Sequence, residues 1–253
     1  MFGLCNLANI PLRLEPSDRS ELVSQVLFGE HFAILEQNQK WSKIKLAYDD
    51  YEGWIDNKQF KIITEEQFQL LSKDSIVLNA DLIEYITSPS NLLMPIPLGA
   101  SLSFLNYEAI NSENFNFEGL KTSGEKPKGN IINTAFMYMH APYLWGGKTP
   151  FGIDCSGFTQ MVYKLNGYKL LRDASQQANQ GDALSFIEES EPGDLAFFDN
   201  EEGNIIHVGI IMEDNYIIHA SGKVRIDRLD HLGIYNAELN RHTHKLRVIK
   251  KII

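Results

Sequence analysis

Cys155 stands where a glycine-containing turn meets an amphipathic segment of the sequence. The apolar residues after it recur at the spacing of one helix face, at Phe158, Met161, Val162 and Leu165. Asn166-Gly167 then forms a helix stop signal. The pattern predicts Cys155 at or near a helix N-terminus, where unpaired N–H groups and the helix dipole lower the pKa of a thiol.

Two histidines further along the chain fit a catalytic partnership with this cysteine. His207 and His219 lie in two apolar segments on either side of a turn signal, Glu213-Asp214-Asn215. A loop centred on Glu213 would place them directly opposite each other on one sheet face, with Cβ atoms about 5 Å apart. A nucleophile, a base and a group that orients the base form a catalytic triad, and these three residues supply the three types.

Other interpretations of the same residues stay open at this point. Cys155 could be a buried structural cysteine, and the histidines could be ordinary residues of a hairpin. A metal site would need three or four ligands. Cys155, His207 and His219 could serve as such ligands, but the glycine-rich turn favours an exposed nucleophile, so we predict no metal. His242 and His244 are interpreted as part of a solvated basic edge, because Arg241, Lys245 and Arg247 surround them.

Asp154, next to the cysteine, poses an electrostatic problem. A carboxylate beside a thiol raises the thiol pKa by like-charge repulsion. The arrangement is tolerable only if Asp154 has a cationic partner, and a substrate ammonium would serve. A simpler role as a helix N-cap is compatible with this one.

Composition narrows the class of protein and of partner. The 253 residues carry 33 acidic against 23 basic side chains, a formal charge of −10. This balance argues against nucleic acid and anionic membranes as partners, since both need basic patches. Two cysteines imply no disulfide framework. The sequence lacks a long apolar stretch and a recognisable signal segment, so we expect a cytoplasmic protein without membrane association. We also expect a monomer.

Three regions differ in their patterns. Residues 1–62 read as short strands between turn signals, which predicts a small all-β barrel. Residues 63–125 begin with a capping box, Thr64-Glu65-Glu66-Gln67, and a helix ending near Leu71, and then predict a divergent second barrel and a linker. Residues 126–253 place helices before strands, which predicts an α+β domain.

Several motifs together resemble known families. Asp154-Cys155-Ser156-Gly157-Phe158, His207-Val208-Gly209-Ile210 and Ile218-His219-Ala220-Ser221 resemble the NlpC family of cell-wall cysteine peptidases. Trp41-Ser42-Lys43 and Gly53-Trp54-Ile55 resemble bacterial SH3-like domains. The SH3-like front half and residues 172–177 together look like the γ-D-glutamyl-L-diamino-acid endopeptidases of the NlpC family.

The resemblance implies a papain-like catalytic domain preceded by one or two SH3-like barrels. It implies that Cys155 is the nucleophile, His207 the base and His219 the residue that orients the base. Tyr143 would lie beside the thiolate and help to bind the oxyanion. The resemblance also implies an enzyme that needs no cofactor.

It further implies a substrate pocket. Asp154 would bind the ammonium of an N-terminal L-Ala, and Ser156 and Ser175 would line the same pocket. Tyr51, from the first SH3-like domain, would close it, so the front half is expected to serve the active site rather than anchor the enzyme to the wall. The family also uses an acidic residue from that domain, for which Glu21 is the nearest candidate.

The implied reaction is hydrolysis of murein peptides between γ-D-Glu and the diamino acid, after a free N-terminal L-Ala, in peptidoglycan recycling. An amidase or acyltransferase of the same fold is one alternative. A non-catalytic wall-binding SH3-like protein is another.

Overall fold

The computed structural model describes residues 1–73 and 75–253, which form two compact units. The first unit contains residues 1–125 together with 145–149. The second contains residues 126–144 and 150–253. The further division of the front half into two domains at residue 62 stays a prediction.

The first unit is mostly β-structure with one α-helix. Its strands are β1 Phe2–Leu4, β2 Asn9–Arg13, β3 Leu22–Leu27, β4 His31–Gln37, β5 Trp41–Leu46, β6 Glu52–Asp56, β7 Lys61–Ile63, β8 Leu78–Asn79, β9 Ile83–Thr87, β10 Leu93–Pro97, β11 Asn116–Phe117, β12 Lys121–Thr122 and β13 Lys148–Thr149. The helix is α1 Glu65–Lys73, and Ser103–Asn106 form a 3-10 turn.

Strands β1 to β7 form one antiparallel sheet in the order β3-β2-β6-β5-β4-β1-β7. Its inward side chains alternate along the strands, as the period of a strand requires. They build a core from Ile10, Leu12, Val26, Phe32, Ile34, Ile44 and Ile55. The strands predicted between residues 10 and 55 are confirmed, with ends shifted by one or two residues in most cases, and β1 and β7 are additions.

The region after residue 62 matches its sequence prediction only in part. The capping box is confirmed, because the Thr64 N–H donates to Gln67 Oε1 at 2.9 Å and the Gln67 N–H to Thr64 Oγ1 at 3.2 Å. Within the predicted second barrel, residues 103–106 form a 3-10 turn rather than a strand. The strand β10 contains two prolines, which are tolerated because β10 is the edge of the sheet β10-β9-β11.

One hydrophobic core joins the two parts of the first unit. Leu4 and Phe28, from the first seven strands, pack in the same buried cluster as Ile86, Ile96 and Phe117. Phe28 also meets the ring of Phe104 edge to face, with centroids 5.3 Å apart. Residues 63–117 therefore share a core with residues 1–62.

The second unit places helices before a long antiparallel sheet. Its helices are α2 Asn130–Phe136, α3 Cys155–Leu165 and α4 Ala174–Gln177. Its strands are β14 Gly152–Ile153, β15 Asp182–Leu184, β16 Leu195–Asp199, β17 Ile205–Ile211, β18 Tyr216–Ser221, β19 Lys223–Asp230, β20 Gly233–Asn236 and β21 Arg241–Lys251, with 3-10 turns at Ile187–Glu189 and Glu213–Asn215. The predicted α+β class is confirmed.

The sheet of the second unit closes on itself. Its order is β15-β21-β16-β17-β18-β19-β20, and β20 pairs in addition with β21. The barrel formed by β16 to β21 encloses a cluster of Ala196, Phe198, Ile211, Ile217, Leu229, Ile234 and Ile249. The sequence analysis did not predict β19, where Val224 to Asp227 alternate apolar and charged side chains, or β20.

Helix α3 is buried along its whole length and packs against β17 and β18. It ends at Asn166 and Gly167, and Gly167 adopts a φ of 85°, as the stop signal predicts. Within residues 1–73 and 75–253, no helix is both long and apolar enough to cross a membrane.

Candidate active site

The N-terminus of α3 presents Cys155 to the sheet. Asp154 caps the helix, and its Oδ1 accepts a hydrogen bond from the Gly157 N–H at 2.6 Å. Backbone N–H groups of Val208 and Ser156 face the sulfur of Cys155. Because Val208 follows His207 in β17, this contact places the thiol beside the strand that carries the predicted base.

The environment of Cys155 favours a neutral thiol. Burial raises its pKa to about 12, and the carboxylate of Asp154 acts in the same direction. The N–H groups of Val208 and Ser156 and the charge of Arg172 oppose the rise without overcoming it. The expectation that the helix N-terminus lowers the thiol pKa therefore fails, because burial outweighs it. The thiol needs a base before it can attack.

His207 and His219 supply a hydrogen-bonded pair of rings. The Nε2 atom of His207 lies 2.8 Å from Nδ1 of His219, and both side chains are buried. Two ring nitrogens that face each other cannot also bind one metal ion. Among the residues that the structure describes, no group of three or more His, Cys, Asp or Glu side chains is arranged to hold a metal ion.

The predicted register of this hairpin is wrong, although the two histidines share a sheet face as predicted. Gly209, not His207, lies opposite His219. The turn is centred on Asp214 rather than Glu213, because Asp214 and Asn215 adopt left-handed φ values of 57° and 59°. His207 is therefore a diagonal neighbour of His219.

Gly209 explains how the diagonal pair can touch. A Cβ atom built at Gly209 would lie 2.9 Å from Cβ of His219 and 2.7 Å from Cδ1 of Ile217, closer than real Cβ contacts. Glycine leaves this space open between the strands. The short separation of the His207 and His219 rings depends on it.

Asp227 contacts His219 on the side away from His207, and the sequence analysis did not identify it. Its Oδ2 lies 3.0 Å from Nε2 of His219 and 2.7 Å from Nε of Arg225. Asp227 lies in β19, where Val224-Arg225-Ile226-Asp227 alternates apolar and charged side chains. That alternation was the available signal for a strand.

His244 contradicts the prediction of a solvated basic edge. Its ring stacks on the ring of His207, with centroids 4.2 Å apart and planes 26° from parallel. A bulge in β21 at Thr243 turns His242 away, and His242 instead lies near Asp230 at 2.9 Å. Burial and the charge of His219 lower the pKa of His244 to about 4.

These neighbours keep His207 neutral. Burial lowers its pKa well below the usual 6.5, and His219 and His244 lower it further because a second positive charge nearby is unfavourable. A neutral imidazole can accept a proton. The site thus combines a neutral thiol with a neutral base.

Arg172 supplies the cation that Asp154 requires. Its Nη2 lies 2.6 Å from Asp154 Oδ2, and its Nη1 lies 3.1 Å from Oδ1 and 3.0 Å from Ser156 Oγ. Arg172 is 1% exposed. The sequence analysis required a partner for Asp154 but named a substrate ammonium rather than this residue. Charge balance alone therefore no longer calls for a bound cation.

The remaining predicted residues occupy different settings. Tyr143 is half-buried, and burial raises the pKa of its hydroxyl, with the charges of Cys155 and Asp154 acting in the same direction. Ser175 is exposed on α4. In the first unit, Tyr51 packs against the barrel core, and Glu21 accepts a hydrogen bond from Trp145 Nε1 at 2.6 Å. Their roles stay predictions.

Replacing Arg172 by methionine should lower the free energy of unfolding by about 3–5 kcal/mol, because it leaves the charge of Asp154 buried without this partner. Urea denaturation of the variant measures the loss. Glu191→Gln, which removes an exposed partner of Lys128 in the same unit, should leave the midpoint nearly unchanged. Equal midpoints for wild type and Arg172→Met would contradict the assigned pairing.

Comparisons with known proteins agree with this geometry. Residues 140–243 match the NlpC/P60 family, and residues 12–60 match the bacterial dipeptidyl-peptidase Sh3 domain. The chain is 28% identical over 235 residues to the gamma-D-glutamyl-L-lysine dipeptidyl-peptidase of Bacillus cereus, covering 81% of this chain and 68% of that protein. It is 29% identical over 253 residues to dipeptidyl-peptidase 6 of Lysinibacillus sphaericus, covering 87% and 88% respectively.

A solved structure supports the fold. The chain is similar to the crystal structure of an NlpC/P60 family protein from Bacillus cereus, with a TM-score of 0.82 at 19% identity. The similarity covers 100% of this chain and 99% of that one. The predicted α+β domain, here with an NlpC/P60 fold and an SH3-like domain ahead of it, is therefore confirmed. Residues 140–243, which contain the buried Cys155, His207 and His219, therefore form an NlpC/P60 domain, and residues 12–60 form a bacterial dipeptidyl-peptidase SH3 domain.

Proposed function

We propose that this enzyme hydrolyses the bond between γ-D-Glu and the diamino acid of murein peptides that carry a free N-terminal L-Ala. The observation that carries the proposal is the dipeptidyl-peptidase SH3 match at residues 12–60, in the same chain as the site around Cys155. Two relatives are named gamma-D-glutamyl-L-lysine dipeptidyl-peptidase and dipeptidyl-peptidase 6. Release of a dipeptide requires recognition of a chain end.

In the first half of the proposed reaction, His207 takes the proton from the Cys155 thiol as the sulfur attacks the γ-carbonyl carbon of D-Glu. The Nε2 atom of His207 is engaged with His219, which leaves Nδ1 for the proton. When the intermediate collapses, the C–N bond breaks and His207 returns the proton to the departing amine of the diamino acid. The enzyme then holds a thioester of the dipeptide.

In the second half, water replaces the leaving amine. His207 removes a proton from the water as its oxygen attacks the thioester carbon. The C–S bond then breaks and His207 returns the proton to the sulfur, which releases L-Ala-D-Glu and restores the thiol. Tyr143 is proposed to donate a hydrogen bond to the carbonyl oxygen as negative charge develops there. The raised pKa of its hydroxyl keeps the proton available.

Asp154 is proposed to bind the ammonium of L-Ala, with Ser156 and Ser175 completing the pocket. The buried Arg172 fixes the orientation of the carboxylate through two contacts. An Asp154→Asn variant would also disturb that pair. A chemical change in the substrate therefore tests this proposal more cleanly than a change in the protein.

The function is tested with two peptides, L-Ala-γ-D-Glu-L-Lys and L-Ala-γ-D-Glu-meso-diaminopimelate, analysed by mass spectrometry. We expect release of L-Ala-D-Glu from at least one of them. A matched peptide with the glutamate linked through its α-carboxyl should resist cleavage. Cleavage of neither γ-linked peptide, or cleavage of both linkages alike, would overturn the proposed substrate class.

Acetylating the substrate's N-terminus should lower kcat/KM by about 10- to 150-fold, since a hydrogen bond to a charged group is worth about 1.5–3 kcal/mol. A further penalty for an unpaired Asp154 is not expected, because Arg172 balances the carboxylate. Steady-state kinetics on the free and acetylated peptides measure the ratio. Equal kcat/KM values would remove the ammonium role from Asp154.

The role in recycling follows from the same preference. In the intact wall the amine of L-Ala is acylated, so a free amine marks peptides already released from the sugar. Incubation with purified peptidoglycan should release little L-Ala-D-Glu compared with soluble peptide at equal concentration. Comparable rates on both would overturn the recycling role while leaving the peptidase activity in place.

A further inference from the structure

A buried carboxylate lies directly behind the pair of catalytic rings. Asp227 Oδ2 is 3.0 Å from Nε2 of His219, whose Nδ1 is 2.8 Å from Nε2 of His207. Asp227 is 6% exposed and His219 is 1% exposed. The three side chains come from the strands β19, β18 and β17, which are neighbours in the sheet. They form a continuous line of polar contacts away from the site of attack.

Arg225 fixes this carboxylate from the other side. Its Nε lies 2.7 Å from Asp227 Oδ2, and its Nη2 donates to Oδ1 at 3.0 Å. Glu238 in turn contacts Nη1 of Arg225 at 3.2 Å. Burial would raise the pKa of Asp227, but the contacts with His219 and Arg225 lower it below 3.8. Asp227 is therefore ionised at neutral pH and can only accept hydrogen bonds.

Because Asp227 can only accept hydrogen bonds, it determines which nitrogen of His219, and in turn of His207, carries the proton. His219 must carry its proton on Nε2 in order to donate to Asp227, which leaves Nδ1 as a lone pair because the ring is neutral. That lone pair requires His207 to donate from Nε2. In neutral His207 the remaining basic nitrogen is then Nδ1, the atom available to the thiol.

We propose that Asp227 is a positioning residue of this enzyme, which acts through His219 to hold His207 in the tautomer with a basic Nδ1. It touches neither the substrate nor the reacting atoms. Its effect is to prevent the reversed arrangement, in which His207 would carry a proton on Nδ1 and could not take one from Cys155.

The wild-type enzyme provides the first test. Nitrogen-15 NMR of histidine-labelled protein at neutral pH distinguishes the two neutral tautomers of each ring. The assigned resonances of both His207 and His219 should show protonated Nε2. A proton on Nδ1 of either ring would overturn the proposal. This test needs no substrate, so its result is independent of whether the proposed murein peptide is the right one.

The variant Asp227→Asn provides the second test, because an amide can donate to His219 and reverse both rings. We expect kcat to fall by about 10- to 100-fold, the range for removing an orienting partner, with KM changed by less than about twofold. The matched control is Asp230→Asn in the same strand, which removes a carboxylate that contacts His242. That control should keep wild-type kinetics and ring tautomers.

The two measurements on Asp227→Asn are read together. A lower kcat with a proton moved to Nδ1 in the rings supports the proposal. Wild-type kcat, or a lower kcat with unchanged tautomers, overturns it, since the loss would then be structural. If the variant does not fold, the wild-type spectrum decides. If the chain cleaves no murein peptide, the function fails while the tautomer result still stands.

Discussion

Cys155→Ala should lose about a million-fold in kcat, the loss found when a covalent nucleophile is removed from a peptidase. Without the sulfur no thioester forms, and His207 has no thiol from which to accept a proton. The substitution should cost little packing energy, because a methyl group replaces the thiol and Asp154 still caps the helix N-terminus.

Cys5, the second free cysteine, provides the control for this result. Cys5 is buried in the first unit, where its thiol donates to the Leu7 carbonyl at 3.3 Å, and burial raises its pKa to about 12. Cys5→Ala should keep wild-type kcat in the same peptide assay. Product is measured by mass spectrometry, with thermal denaturation confirming that both variants fold. Turnover by folded Cys155→Ala would end the assignment of the nucleophile.

His207→Ala should be more damaging than His219→Ala, with a loss of about 10²–10⁴-fold in kcat for the base. In the proposed mechanism His207 carries the proton in both halves of the reaction, whereas His219 only orients the ring of His207. The structure sharpens this expectation, because the high pKa of Cys155 in its buried setting makes the attack depend on proton transfer. His219→Gln, which retains hydrogen-bonding groups, should lose less than His219→Ala.

The pH dependence of the wild type checks the same assignment. His207 must be neutral to accept a proton, and its pKa lies well below 6.5, chiefly because of burial. Activity should therefore persist as the pH falls through 6.5 and disappear only in more acidic solution. A midpoint at or above 6.5, or equal losses in the two alanine variants, would show that the roles of the histidines are wrongly assigned.

Local signals in the sequence were enough to find the centre of this site. A turn, an N-cap and a helical repeat lie within a few residues of Cys155, and each depends on contiguous chain. The apolar segments around His207 and His219 likewise predicted two paired strands. These features follow from backbone geometry and side-chain periodicity, which act over short separations.

The register of that hairpin required the tertiary structure. Moving the turn centre from Glu213 to Asp214 depends on two left-handed residues that no periodicity reveals. The rings of His207 and His219 still meet, because the pattern of alternation kept them on one face and Gly209 left room between them. The sequence therefore predicts that the two histidines share a sheet face, but it does not predict whether they lie directly opposite each other.

The charged neighbours of the site also depended on the fold. Arg172 reaches Asp154, Asp227 reaches His219, and His244 stacks on His207. Each contact joins residues that local spacing does not relate, and each arises because a closed sheet and a buried helix exclude water around them. Burial then decides the charge states, raising the pKa of Cys155 and lowering that of His207. The sequence alone thus predicted which residues react, while the tertiary structure decided their protonation and their partners, because desolvation is a property of the packed chain.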